Sequence, residues 1–276
     1  MTGRGAMRHD ETGRHILIAT DFDQTLSLDD SGQVLADVIG ASGFRDKVDG
    51  LAASNLVQQG GELTYLIRHD PDFRRVRREH LIEAGRRVRL KENVAALVDF
   101  VGRGVGEHRF SFFVVSAAPQ ELVQSALAGI VDPARVYGAE FDYDPGSGEV
   151  RSIRRVPAGY GKVAVIEELE SRLGITPDRT IYVGDGGSDV HVMLHVNNRG
   201  GFTIAVSENR HLANIAKRTV LSDNAFGILV PVLDEVMGSE PAEIRRLFET
   251  YRLSLEHWER ERTDRVLIST MAPIVC

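Results

Sequence analysis

Three short apolar runs, each ending in a residue that can do chemistry, constrain this chain more than any other feature. The first is His15-Ile-Leu-Ile-Ala-Thr20, followed at once by Asp21. The second is Phe110-Ser-Phe-Phe-Val-Val-Ser116, and the third is Thr180-Ile-Tyr-Val-Gly-Asp185. Such runs read as strands buried on both faces of a parallel sheet. A fourth, Phe202–Val206, and a shorter fifth, Thr219–Leu221, follow. Helical patterns separate them, at about 91–102, 119–127, 161–173, 189–196 and 210–218. Strands alternating with helices predict an α/β fold, a doubly wound parallel sheet of Rossmann-like type. Ligands of such sheets sit beyond the carboxyl ends of the strands, where these acids and hydroxyls fall.

The stretch from Leu26 to Arg89 breaks the rhythm. It carries helical patterns at 32–39, 63–68 and 72–86 and no strand pattern. It reads as a helical insertion able to cover the active end of the sheet and exclude water. The predicted organisation is a leader over residues 1–14, a core over 15–26 and 90–238, a helical cap over 27–89 and a C-terminal helical extension over 239–276. Segments 139–144 and 149–153 flank Pro145-Gly-Ser-Gly148, a hairpin signal. A charged helix is expected at about 241–262, as a packing or dimerisation element.

Chemistry concentrates in four places. Asp21 and Asp23 stand two residues apart after a buried strand, so one carboxylate can attack phosphorus while the other protonates the leaving oxygen. Ser116 ends the second strand, where a hydroxyl and the first amides of a helix can bind phosphate oxygens. Lys162 lies in the first turn of an otherwise apolar helix, an unfavourable place beside the helix dipole, which suggests a phosphate or carboxylate partner. Gly184-Asp185-Gly-Gly-Ser-Asp189 joins a strand to a helix and adds two carboxylates at the same end of the sheet. Hard oxygen ligands with open positions suit Mg²⁺.

Composition narrows the partners. A net charge of −7 argues against nucleic acid as the main partner. The one cysteine, Cys276, allows neither an internal disulfide nor a zinc cluster. No apolar run is long enough to span a membrane, and residues 1–14 lack the core of a secretory signal, so a cytoplasmic location is expected.

In order and spacing, Asp21-Phe-Asp-Gln-Thr-Leu26, Ser116, Lys162 and Gly184-Asp-Gly-Gly-Ser-Asp189 resemble the four signature motifs of the haloacid dehalogenase superfamily, over roughly residues 15–225. The helical insertion resembles a C1-type cap, and Val114-Val-Ser116-Ala, the hairpin and the Gly-Asp-Gly segment resemble the phosphoserine phosphatase branch. The resemblance implies a Mg²⁺-dependent phosphatase acting on a small phosphomonoester. Asp21 would form an aspartyl-phosphate and Asp23 would act as acid, then base. Thr25 would orient the loop, and Ser116 and Lys162 would hold the phosphoryl oxygens. Asp21, Asp185 and the backbone carbonyl of Asp23 would ligate the metal, with Asp189 as a ligand or a supporting acceptor. Asp30, Arg68 and Ala117 are the candidate substrate contacts. Two features depart from the branch: Asp30 stands where a glutamate is usual, and Ala117 and Ala118 stand where glycines are expected. A nucleotidase or phosphomutase of the same superfamily, and a phosphate-binding regulatory protein without catalysis, are the alternatives. His69, His80 and His191 lack metal-ligand spacing, and the arginines of 74–89 read as a solvated face.

Overall fold

The computed structural model describes residues 15–54 and 56–257, and the strand backbone of 263–265 and 267–270. The expected leader lies outside the described residues, as does the end of the expected C-terminal helix.

The strands are β1 (His15–Thr20), β2 (Arg109–Pro119), β3 (Val136–Tyr143), β4 (Val150–Arg155), β5 (Thr180–Gly184), β6 (Phe202–Ala205), β7 (Arg218–Leu221), β8 (Leu253–His257), β9 (Thr263–Arg265) and β10 (Leu267–Thr270). Eight form one sheet in the order β4-β3-β2-β1-β5-β6-β7-β9. All its pairings are parallel except β3 with β4. β1 is central, with Thr20 opposite Val114 of β2 and Val183 of β5. That register carries Asp21, Ser116 and Asp185 to one edge of the sheet.

Both sheet faces are covered, which explains the unbroken apolar runs. Ile16 and Ile18 of β1 face one core, while Leu17 and Ala19 face the other. The second core takes up α7 (Tyr160–Leu173), α8 (Val190–Asn198) and α9 (Arg210–Ile215). The first takes up α5 (Val94–Arg103) and α6 (Gln120–Ala126), together with the insertion helices.

The insertion contains α1 (Ser31–Ile39), α2 (Phe44–Ser54), α3 (Glu62–His69) and α4 (Arg78–Arg87). Its two ends meet at a bridge between Ser27 and Leu90, flanked by Leu28 N–H to Arg89 C=O at 2.9 Å and Lys91 N–H to Leu26 C=O at 2.8 Å. The insertion shares the first core, and Ser125 of α6 donates to Ile82 C=O of α4 at 2.7 Å. α2 gives no clear apolar period, burying only Phe44, and was not expected. The helix expected at 72–86 divides instead. Phe73 and Val76 are both fully buried, and Val76 and Arg77 take extended backbone before α4 begins.

The C-terminal helix also differs from expectation. α10 (Leu229–Pro231) belongs to a mixed helical run over 225–236, and α11 (Pro241–Thr250) then ends well before residue 262. Arg252 adopts φ 57°, and the chain continues as β8 with Leu253 and Leu255 buried. Apolar residues two apart are a strand period, which outweighs the charged, helix-favouring composition. Ile244 and Phe248 of α11 are buried, with the Phe248 ring edge-on to Phe226 at 5.0 Å. The apolar stripe of α11 is therefore covered within the chain. No described helix is long and apolar enough to cross a membrane.

Candidate active site

At the sheet edge lies a cavity of about 200 Å³. Asp21, Asp23, Ser116, Ala117 and Asp185 line it from the core, and Asp30, Phe44, Glu62 and Leu63 from the insertion. The site is built around Lys162. Its side chain is fully buried, and its ammonium donates to Asp21 Oδ2 at 2.6 Å and to Asp189 Oδ1 at 2.7 Å. Burial pulls the Lys162 pKa down, but the charges of Asp189 and Asp21 outweigh it and the group stays cationic. The mismatch with the dipole of α7 is thereby resolved by two carboxylates.

Asp21 follows directly from β1, its amide donating to Val183 C=O at 2.8 Å. Its Oδ1 accepts the Phe22 amide at 2.7 Å. Burial raises its pKa to about 6 against the lowering pull of Lys162. Asp23 is half-buried at the cavity wall, gripped by the amide of Ser31 at 2.8 Å and its hydroxyl at 2.9 Å. Burial, then the charges of Asp30 and Asp21, push it up to about 8. The two environments make Asp21 the more acidic carboxyl of the pair. Environments that separate the pKa values of two neighbouring acids set up a nucleophile and a general acid.

Asp185, Asp21 and Asp189 bring carboxylate oxygens within 4.8 Å of one another. Burial and the charges of Asp21 and Asp189 raise Asp185 to about 8. Thr25, fully buried, donates to Asp185 Oδ1 at 3.3 Å. Asp189 differs from the other two, because its oxygens are engaged by four donors. Lys162 and the Tyr182 hydroxyl, at 2.6 Å, bind Oδ1, and the amides of Asp185 and Gly186, both at 3.1 Å, bind Oδ2. Such a carboxylate shapes the loop and holds Lys162, while its oxygens also belong to the group that could share a cation. Glycine is required at 184, since a Cβ there would lie 2.4 Å from Asp189 Cγ.

Ser116 is buried and accepts the Ala118 amide at 3.2 Å. Its helix does not begin beside it: β2 runs on through Ala117 to Pro119, and α6 opens at Gln120. The expected helix-terminal amides therefore lie further along, and extended backbone with Ala117 faces the cavity. Asp30 caps α1, accepting from the amides of Gly32 and Gln33 at 2.8 and 3.3 Å. Arg68 is exposed and outside the cavity lining. Asp23 is outside the group of acids close enough to share a cation through side chains. Three contributors were not foreseen. Ser31 and Glu62 gave no sequence signal. Tyr182 did give one, because a tyrosine inside an apolar strand needs a partner for its hydroxyl.

Among solved structures, a substrate-bound phosphoserine phosphatase complex is similar at TM-score 0.62 and 19% identity, over 78% of this chain and 97% of that one. A phospho-aspartyl intermediate analogue of phosphoserine phosphatase is similar at 0.61 and 18%, over 78% and 98%. A HAD-family hydrolase from Salmonella enterica serovar Typhi is similar at 0.65 and 15%, over 80% and 72%. At these identities the likeness establishes a shared fold. No curated protein matches the sequence. The family of haloacid dehalogenase-like hydrolases matches residues 18–194, more than half of the chain, and the chain belongs to it.

Proposed function

We propose that this hydrolase cleaves small phosphomonoesters through an aspartyl-phosphate on Asp21. The observation that carries the reading is the pair of acids two residues apart in one cavity lining, Asp21 bound by the Lys162 ammonium and Asp23 held by Ser31. Asp21 attacks phosphorus, the bond to the leaving oxygen breaks, and Asp23 gives that oxygen its proton. Asp23, now a carboxylate, takes a proton from water as the water oxygen attacks phosphorus. Inorganic phosphate leaves, Asp21 is free again, and Asp23 is reprotonated. Ser116 and the backbone after it stand where they can donate to phosphoryl oxygens, and Lys162 tempers the charge of the nucleophile.

The donor set fits a hard divalent cation. All three side chains offer oxygen, and their mutual repulsion, which raises Asp185 and Asp21, is relieved by a positive charge between them. Asp21 and Asp185 would hold Mg²⁺, Asp189 supporting them, and the ion would neutralise charge on the transferring group.

The test is phosphate release from a panel of phosphomonoesters with Mg²⁺, with Asp21→Asn as control. Turnover that vanishes in Asp21→Asn is expected. Turnover retained by that variant refutes the mechanism.

A further inference from the structure

The cavity wall that faces away from Lys162 has an unusual charge. It carries two carboxylates, Asp30 and Glu62, beside Phe44, Val48 and Leu63. No lysine or arginine is among the described residues that line the cavity. Lys162 lies beneath it with its ammonium held by Asp21 and Asp189, and Arg68, on the same helix as Glu62, points to solvent.

Glu62 is the less ordinary of the two acids. Asp30 has a local duty as the cap of α1, which engages its Oδ1. Glu62 is only 6% exposed, and its Oε2 accepts the Gly60 amide at 2.7 Å. Burial raises its pKa, and its own amide and that of Gly60 offset only part of the cost. A buried carboxylate in the lining of a cavity that a second acid also lines is stabilised by a cation in that cavity. The apolar part of the wall is also fixed. Phe44 is 5% exposed, and its ring lies against Gly32, where an added Cβ would stand 2.4 Å from Cζ. Such a ring can cover methylene groups and present its face to an ammonium.

We infer that the alcohol of the substrate carries an ammonium group and no carboxylate, a phosphorylated amino alcohol, and that Glu62 is the residue that selects it. The inference rests on the phosphatase reading above. A substrate carboxylate would face Asp30 and Glu62 with no cation to receive it, so repulsion discriminates against phosphoserine.

The test compares kcat/KM with Mg²⁺ for O-phosphoethanolamine, O-phosphoserine and 2-hydroxyethyl phosphate, with p-nitrophenyl phosphate as a reporter of the basic chemistry. O-phosphoethanolamine should be preferred over both aliphatic esters. Glu62→Gln keeps an acceptor for the Gly60 amide and removes the charge. It should raise KM for the amine on the order of 10- to 100-fold, as for loss of a hydrogen bond to a charged group, and shift KM for 2-hydroxyethyl phosphate far less. A purely structural Glu62 would move both alike. If the variant does not fold, inhibition of the unaltered protein decides: 2-aminoethylphosphonate should bind more tightly than propylphosphonate, and equal inhibition overturns the inference. Turnover of p-nitrophenyl phosphate with phosphoserine equal or preferred overturns the substrate class alone. No turnover of any ester overturns the proposed function as well.

Discussion

Tyr182→Phe isolates one interaction at the heart of the site. The hydroxyl donates to Asp189 Oδ1 at 2.6 Å, and both side chains are fully buried. The change removes an oxygen and leaves the ring in the second core, so no large cavity is made. A hydrogen bond to a charged group contributes roughly 1.5–3 kcal/mol. Asp189 keeps Lys162 and two backbone amides, which favours the middle of that range, about 2 kcal/mol. For a chain of this size that corresponds to a fall in Tm of about 4–8 °C. Guanidinium and thermal unfolding in EDTA measure it. In an Asp189→Asn background the acceptor is neutral and the cost of Tyr182→Phe should shrink to about 1 kcal/mol. A single-variant loss under about 0.5 kcal/mol, or an equal loss in both backgrounds, would refute the assignment of Tyr182 to a buried charged carboxylate. Phosphate release should persist in Tyr182→Phe, because Lys162 still bridges Asp21 and Asp189.

Mg²⁺ should restore phosphate release after EDTA treatment, and full activity in stripped protein would exclude the metal role. The stabilisation by Mg²⁺ should also grow with pH. Asp21 and Asp185 ionise near pH 4 when unfolded, at about 6 and about 8 in the metal-free fold. The unfolded state therefore binds fewer protons across that window, and metal-free stability falls as pH rises through it. Ionised carboxylates are what the cation binds, so the Tm gain should be larger near pH 8 than near pH 6; a gain independent of pH would count against these ligands. Phe248→Ala should cost roughly 3–5 kcal/mol, since the ring is fully buried against Phe226, and denaturant unfolding that shows no loss would mean α11 is not part of the core. Arg68→Ala should leave kcat/KM unchanged, because the side chain is exposed and away from the cavity.

The core of this chain was legible because its information is local. β1, β2 and β5 bury both faces, so their apolar runs stand out, and Asp21, Ser116 and Asp185 follow from where those runs end. Lys162 betrayed itself by violating a helix-end preference, and the structure supplies two carboxylates as the reason. The errors fall where local preference yields to tertiary contact. The charged composition after Pro241 favours helix, yet Leu253 and Leu255 bury their side chains from a strand. The stretch over 72–86 has helical periodicity, yet burying Phe73 and Val76 breaks it into two pieces. For Asp189 the motif left two roles open, ligand or supporting acceptor. Its four hydrogen bonds, which the sequence could not show, tie it to Lys162 and to its own loop.

The same division explains why chemistry is easier to read than specificity. Phosphoryl transfer needs a nucleophile, an acid and counter-charges at fixed strand ends, so its residues keep a fixed order along the sequence. The proposed specificity rests on the insertion, whose residues reach the cavity only after α1, α2 and α3 pack against the core. Glu62 shows the consequence. As the first residue of α3 it is what any helix start favours, and nothing in its neighbours distinguishes it from a surface acid. Its burial in the cavity lining brings an ordinary helix-opening glutamate into the same site as Asp21 and Asp23. Under the inference above, a carboxylate there selects among leaving groups without touching the bond that breaks. Glu62→Gln should therefore alter which ester is preferred while sparing hydrolysis itself, whereas Asp21→Asn should abolish hydrolysis of every ester alike.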